Sequence, residues 1–257
     1  MRKAILAVSF GVSNRESRVK TIDICEREIR QFLPDYDFFK AYTSKRTIEK
    51  IKNREQITID NVEQALGKIV QGNYDELIVH PFYVVHGVEF QKLVEIVSLH
   101  QHQFKKIKIG RPLLTHMEDH LNVARILKKS LPVLAHKEAI VFMGHGVSTA
   151  AQTAYPTLEY VLRDHGINAF VGTIEVYPGV GQIIKRLKEH QIERVTLMPF
   201  LLTAGHHTTY DMVGNQENSW KNQLEKAGYP VKVDLKGLAE NPEIRQQFLT
   251  YLHDNFL

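Results

Sequence analysis

The sequence predicts an α/β protein built from two successive units, each a four-stranded parallel sheet with helices on both faces. Short apolar runs alternate with stretches of helical spacing along the whole chain. The alternation restarts after a polar connector near residues 131–136. An internal repeat points the same way, since Pro81, Phe82 and Gly87 recur with the same spacing as Pro199, Phe200 and Gly205.

In the first half, Ala4 to Phe10 is an apolar strand that ends at Gly11, and a helix follows through Leu33. Asp35 to Tyr42 reads as a second strand. Two helical stretches come next, with Asp60 as the expected cap of the later one. Leu77 to His80 is a third strand, followed by a loop rich in aromatic and histidine side chains, then a helix, the strand KKIKIG and a long helical segment. In the second half, EAIVFMGHG is strand and glycine loop, and the helix after it contains Pro156, which marks a kink or a boundary. INAFVGTIE, ERVTLMPF and PVKVDLKG supply three more strands, and a final helix has Pro242 near its first turn.

Domains of 1–132 and 133–257 follow, with the terminal helix free to pack back on the first. A single eight-stranded barrel fits less well, because the connector separates matched halves. The simplest account is a duplicated flavodoxin-like unit. In its register Glu89 corresponds to His207, and Phe10, in Ser9–Phe10–Gly11, corresponds to His145, in Gly144–His145–Gly146.

Composition narrows the function. A chain with 43% hydrophobic and 24% charged residues folds around a sizeable core. Cys25 is the single cysteine, which excludes an intrachain disulfide. The first apolar run is too short for an export signal or a membrane span, so a cytoplasmic protein without membrane association is expected. The net charge of +4 comes from scattered basic residues, with no zinc finger or aromatic RNA-binding pattern, so nucleic acid is not an expected partner. The sequence leaves room for a homo-oligomer. Thirteen histidines are more informative, since imidazole binds divalent transition metals and changes protonation near neutral pH.

Three metal-capable residues follow strands of the second half: His145 between two glycines, Glu175 just past the next strand, and His207 beside Gly205. Ligands of open α/β sheets gather at that end of the strands. Two imidazoles and a carboxylate suit a divalent cation with one position open for exchange, and donor chemistry alone does not choose among cobalt, nickel, iron and zinc. His206 is read as a donor to a neighbouring ligand, a pocket residue or simply an exposed side chain. In the first half, Glu89 is a candidate proton acceptor, His86 a candidate pocket residue, and His80 a hydrogen-bonded strand-end histidine. Phe10, Phe82, Tyr83, Phe200 and Leu202 are candidates for flat apolar walls, with core packing as the alternative for each. Arg15, Lys45 and Arg46 lie near strand ends, where they could meet anionic groups.

The ordered set GHG with His145, IEVYPG with Glu175 and MPFLLTAGHHTTYDM with His207 resembles the anaerobic cobalt chelatases of the class II, CbiK type. AVSFG and HPFYVVHGVEF fit the same family, and the likeness covers essentially the whole chain. The resemblance implies a chelatase-like pair of flavodoxin-like domains with the active cleft between them. It implies an ATP-independent enzyme of anaerobic cobalamin biosynthesis that inserts Co2+ into sirohydrochlorin with release of two protons. On it, His145, Glu175 and His207 correspond to the metal-binding residues, and Glu89 lies on the opposing wall of the cleft. His145 is the preferred acceptor of the pyrrolic protons, with His207 or Glu89 as the alternative. Substrate contacts are expected from Phe10, His86, Tyr83, Leu202 and His206. No permanent organic cofactor is expected, and Co2+ is a substrate. A nickel or ferrous chelatase acting on the same tetrapyrrole, or a carrier of metal or tetrapyrrole, stays open beside the cobalt assignment.

Overall fold

The computed structural model describes residues 1–256, with side chains described through His253. The chain divides into two units, Met1–Leu113 together with Arg245 onward, and Leu114–Ile244.

In the first unit the elements run β1 (Lys3–Ser9), α1 (Arg15–Lys20), α2 (Ile22–Phe32), β2 (Asp37–Tyr42), α3 (Lys45–Glu55), α4 (Val62–Gln71), β3 (Glu76–Phe82), α5 (Val88–Ser98) and β4 (Lys106–Ile109). The strands form one sheet in the order β2-β1-β3-β4, and every pairing is parallel. Strand β3 is buried along its whole length, which is why its sequence is a continuous run with little alternation. One core joins Leu6 and Val8 of β1 and Leu77 and Val79 of β3 to Leu66 and Ile69 of α4 and Leu93 of α5.

In the second unit the elements run α6 (Met117–Ser130), β5 (Glu138–Gly144), α7 (Ala154–Asp164), β6 (Ala169–Thr173), α8 (Val180–Glu189), β7 (Arg194–Pro199), α9 (Trp220–Lys226) and β8 (Val231–Val233), and α10 (Pro242–Phe256) closes the chain. The sheet order is β6-β5-β7-β8, again all parallel. Val141 and Met143 of β5 share a core with Leu197 of β7, Ile183 of α8 and Trp220 of α9.

The repeat read from the sequence has a structural counterpart. Val8 pairs with Pro81 across β1 and β3, and Met143 pairs with Pro199 across β5 and β7. Those two pairings superimpose Phe10 on His145 and Glu89 on His207.

The division between units falls at Leu113 and Leu114, ahead of the connector at 131–136. Helix α6 follows the last strand of the first sheet, so simple β–α alternation assigns it to that sheet. Its interior side groups with α7 instead: the ring nitrogens of buried His120 lie 2.9 Å from the His116 carbonyl and 3.2 Å from the Ala154 carbonyl. Helix α10 does the reverse from Arg245 onward. Arg245 bonds Glu28 at 2.8 Å, Phe248 packs edge-on against Phe82 at 5.3 Å, and the Tyr251 hydroxyl donates to the Leu113 carbonyl at 2.9 Å.

One local expectation changes, and one pair of alternatives is resolved. The cap of α4 is Asn61 rather than Asp60. Asn61 and Gln64 exchange side-chain bonds with each other's backbone N–H at 2.8 and 3.0 Å, a reciprocal capping box, whereas Asp60 pairs with Lys68 at 2.6 Å. Of the two readings of Pro156, the helix boundary holds rather than the kink. The proline sits in the first turn of α7, where a missing N–H leaves no intrahelical bond unmade.

Candidate metal centre

In the second unit β5 is central, flanked by β6 on one side and β7 on the other. The chain leaves β5 toward β6 and returns on the far side as β7. The β5–β7 ends therefore form the topological switch point where open sheets take ligands. His145 follows β5 directly, and His207 lies eight residues beyond Pro199 at the end of β7.

The loop that carries His145 needs both of its glycines. A Cβ on Gly144 would run into the Tyr155 ring. Gly146 adopts φ +89°, and a Cβ there would stand 2.9 Å from Cβ of Thr173. Tyr155 supports the turn from beneath, its hydroxyl accepting from the Gly146 N–H at 3.3 Å, and burial holds its phenol above its usual range. The result is an exposed imidazole on a tightly buttressed backbone.

Gln152 ties this loop to the one carrying Glu175. Its Oε1 accepts from Val147 N–H at 3.0 Å, while its Nε2 donates to Thr173 Oγ1 at 3.1 Å and to the Tyr177 carbonyl at 2.8 Å. Glu175 itself donates its backbone N–H to the His145 carbonyl at 3.0 Å. The Tyr177–Pro178 peptide is cis. Glu159, the other acidic residue near these strands, is buried and engaged by Val171 N–H and Arg186, so it is not free for chemistry.

His207 stands at the entrance to a π-helical turn, Thr208–Met212, closed by a bond from Val213 N–H to the Thr208 carbonyl at 3.3 Å. Such turns occur often at functional sites. Thr208 and Met212 are buried and anchor the turn; His206 and Tyr210 are exposed and stack with ring centroids 5.3 Å apart.

The two imidazoles meet. The rings of His145 and His207 lie edge to face, with centroids 4.8 Å apart and planes at 86°. In each ring Nδ1 is already committed, to the Gly146 carbonyl at 3.0 Å in His145 and to Asp211 Oδ2 at 2.8 Å in His207. A carbonyl and a carboxylate only accept, so Nδ1 is the donor in both cases and Nε2 is the nitrogen left for a cation. The Glu175 backbone borders His145. Among the described residues, no three His, Cys, Asp or Glu side chains are gathered closely enough to hold a metal ion together.

Asp211, the partner of His207, is the residue of this arrangement that sequence reasoning passed over. Its signal was present: it lies four residues after His207, the spacing at which helical side chains touch. Leu202 is half-buried in the loop after β7, where its carbonyl accepts from Ala239 N–H at 3.0 Å.

Of four candidates from the first unit, Tyr83 packs against its core, and Phe10, His86 and Glu89 lie nearer the surface. Phe10 is 51% exposed immediately after β1. Tyr83 is half-buried with its hydroxyl toward Thr43 at 3.5 Å, and exposed His86 packs against Phe90 at 4.5 Å. Glu89 occupies the second position of α5, where the helix N-terminus favours negative charge, and pairs loosely with Lys92 at 3.6 Å. Arg15, Lys45 and Arg46 are exposed at the starts of α1 and α3. Phe82 and Phe200 are core residues, at 3% and 0% exposure, rather than walls of a pocket. His80 also departs from expectation: it is fully buried, and neither ring nitrogen makes a hydrogen bond among the described residues. Burial lowers its pKa to about 3.

Comparison with known proteins bears on the family and the fold. The chain is 38% identical over 253 residues to a sirohydrochlorin cobaltochelatase of Salmonella typhimurium, spanning 98% of this chain and 96% of that one. It is 30% identical to the sirohydrochlorin cobaltochelatase CbiKC of Nitratidesulfovibrio vulgaris, over 93% and 85% of the two chains. Among solved structures, SirB from Bacillus subtilis with Fe3+ shares the fold at TM-score 0.68 and 13% identity, covering 99% of this chain and 95% of that one. No helix among the described residues is long and apolar enough to cross a membrane. The model of the cobalt chelatase (CbiK) family matches residues 3–256, and the chain belongs to that family.

Proposed function

We propose that this protein is a sirohydrochlorin cobaltochelatase, exchanging Co2+ for the two inner protons of the tetrapyrrole without nucleotide hydrolysis. The observation that carries the proposal is the meeting of His145 and His207 at the strand ends with both Nδ1 atoms tied and both Nε2 atoms left over. In the same proposal Glu175 is the third ligand. Its backbone already borders His145, and its side chain is exposed.

Insertion requires the hydrated cation to lose water, the ring nitrogens to reach the metal, and two pyrrolic protons to leave. A ligand set of two imidazoles and one carboxylate can replace water stepwise, so that no single step strips the whole hydration shell. Neutral imidazole is well matched to proton transfer near pH 7, which suits His145 as an acceptor once it has released the cation. Glu89 is the second proposed acceptor, on the strength of its register with His207. Phe10, Tyr83, His86, Leu202 and His206 are the proposed contacts to the macrocycle.

The test is Co2+-dependent spectral conversion of sirohydrochlorin by the purified protein, run beside Ni2+ and Fe2+ at matched free concentrations. Conversion fastest with Co2+ supports the proposal. Conversion with Fe2+ alone overturns the cobalt assignment. A folded protein that binds Co2+ or sirohydrochlorin yet never exceeds the uncatalysed rate is a carrier.

A further inference from the structure

The two imidazoles of the centre are not held alike. His145 is oriented by a backbone carbonyl that belongs to its own loop, at 3.0 Å, and that partner cannot be removed by substitution. His207 is oriented by a side chain, Asp211, at 2.8 Å. Asp211 sits inside the π-helical turn, between the buried anchors Thr208 and Met212. Its own backbone is therefore fixed to the core of the unit. The carboxylate is half-buried, with 28% of its side chain exposed, so water competes with this bond less than it would at an open surface.

We infer that Asp211 is a positioning residue for metal capture: by accepting the His207 Nδ1–H bond it fixes the rotation of that ring and aims Nε2 at the cation. The inference rests on His207 being a metal ligand. A free imidazole on a half-exposed side chain samples several rotamers, and each turn of χ2 swaps the atom offered to the metal. The bond to Asp211 removes that freedom before the cation arrives. Carboxylates that orient ligating histidines typically change metal affinity or activity by about 10–100-fold when removed. Asp211 does not touch the tetrapyrrole in this role. Its loss therefore falls on the KM for metal, with a smaller effect on kcat at saturating Co2+.

The experiment compares wild type, D211A, D211N and H207A, each checked for an unchanged melting temperature. Two readouts are used: isothermal titration of Co2+ alone into the protein, and steady-state chelation with Co2+ varied. D211A is expected to weaken Co2+ binding and raise the KM for Co2+ by about 10–100-fold. D211N is expected to recover most of that loss, because an amide oxygen accepts the same bond. A D211A protein with wild-type Co2+ binding overturns the inference, and so does a D211N protein as impaired as D211A. The underlying site is judged separately: H207A with undiminished Co2+ binding and chelation overturns the metal centre itself, whereas a defective H207A beside a normal D211A overturns only the positioning role.

Discussion

The two sheets share one strand order and one register, yet they end in different chemistry. After the first strand of each, the chain makes the same turn: Gly11 has φ +87° and Gly146 has φ +89°. Phe10 stands before the first glycine and His145 before the second, both exposed. Eight residues past the matched prolines the first unit offers Glu89 and the second His207. One backbone device has thus been fitted twice, once with an apolar ring and a carboxylate, once with two imidazoles. The turn presents a side chain at the end of the central strand; the side chain decides what it does there.

The sharpest way to break the comparison is to remove the presented groups. H145A and H207A are each expected to lower chelation by about 10²–10⁴-fold, measured as initial rate of tetrapyrrole conversion. E89Q is expected to lower kcat while leaving Co2+ titration of the protein unchanged. Equal loss of metal binding in E89Q and H207A would mean that the two positions do the same work, and the contrast would be lost.

Removing the turn should hurt both units alike. G11A and G146A each force a left-handed backbone onto a residue with a Cβ, and each Cβ meets a neighbour: the Tyr42 ring in the first unit, Thr173 in the second. A cost of about 1–3 kcal/mol in urea unfolding is expected for each. Only G146A is expected to disturb Co2+ binding in the folded protein, because it moves His145.

The third contrast concerns the interior. The same register matches buried His80 with Met198. In the unfolded chain an imidazole takes a proton below about pH 6.5, whereas in the fold His80 stays neutral down to about 3. Its unfolded form is therefore favoured progressively as pH falls between those values, and nothing is lost from this source above them. H80M, which copies the second unit, is expected to be more acid-stable than wild type. The gap should widen by about 1.4 kcal/mol per pH unit below 6.5, about 2 kcal/mol at pH 5. Urea titrations at pH 7 and pH 5 measure it, and a gap that does not widen would show that the imidazole already reaches water.

Which of these features can be read without coordinates depends on how far apart their causes lie in the chain. Strand runs, glycine turns and the Pro81/Pro199 register are local patterns, and each has its place in the sheets. The cap of α4 was also locally readable, since Gln64 follows Asn61 by three residues and thereby selects Asn61 over Asp60. His145 and His207 could be proposed as neighbours because parallel strands bring their carboxyl ends together. Asp211 escaped because a lone i,i+4 pair is common on solvated helices and gains meaning only once the partner histidine is placed. Helix α6 escaped for a different reason. Its spacing shows that it has a buried face, but not which sheet buries it. His80 was misjudged because burial on every side, including by Phe248 from the far end of the chain at 5.9 Å, is invisible from β3 alone.

Because α10 joins the first unit only from Arg245 onward, that unit is interrupted: the second lies within it as one continuous passage, 114–244. During synthesis the later module can therefore finish folding before the earlier one, whose Phe82 and Leu113 must wait for Phe248 and Tyr251 to leave the ribosome. The half that carries the paired imidazoles is thus the half that can mature first.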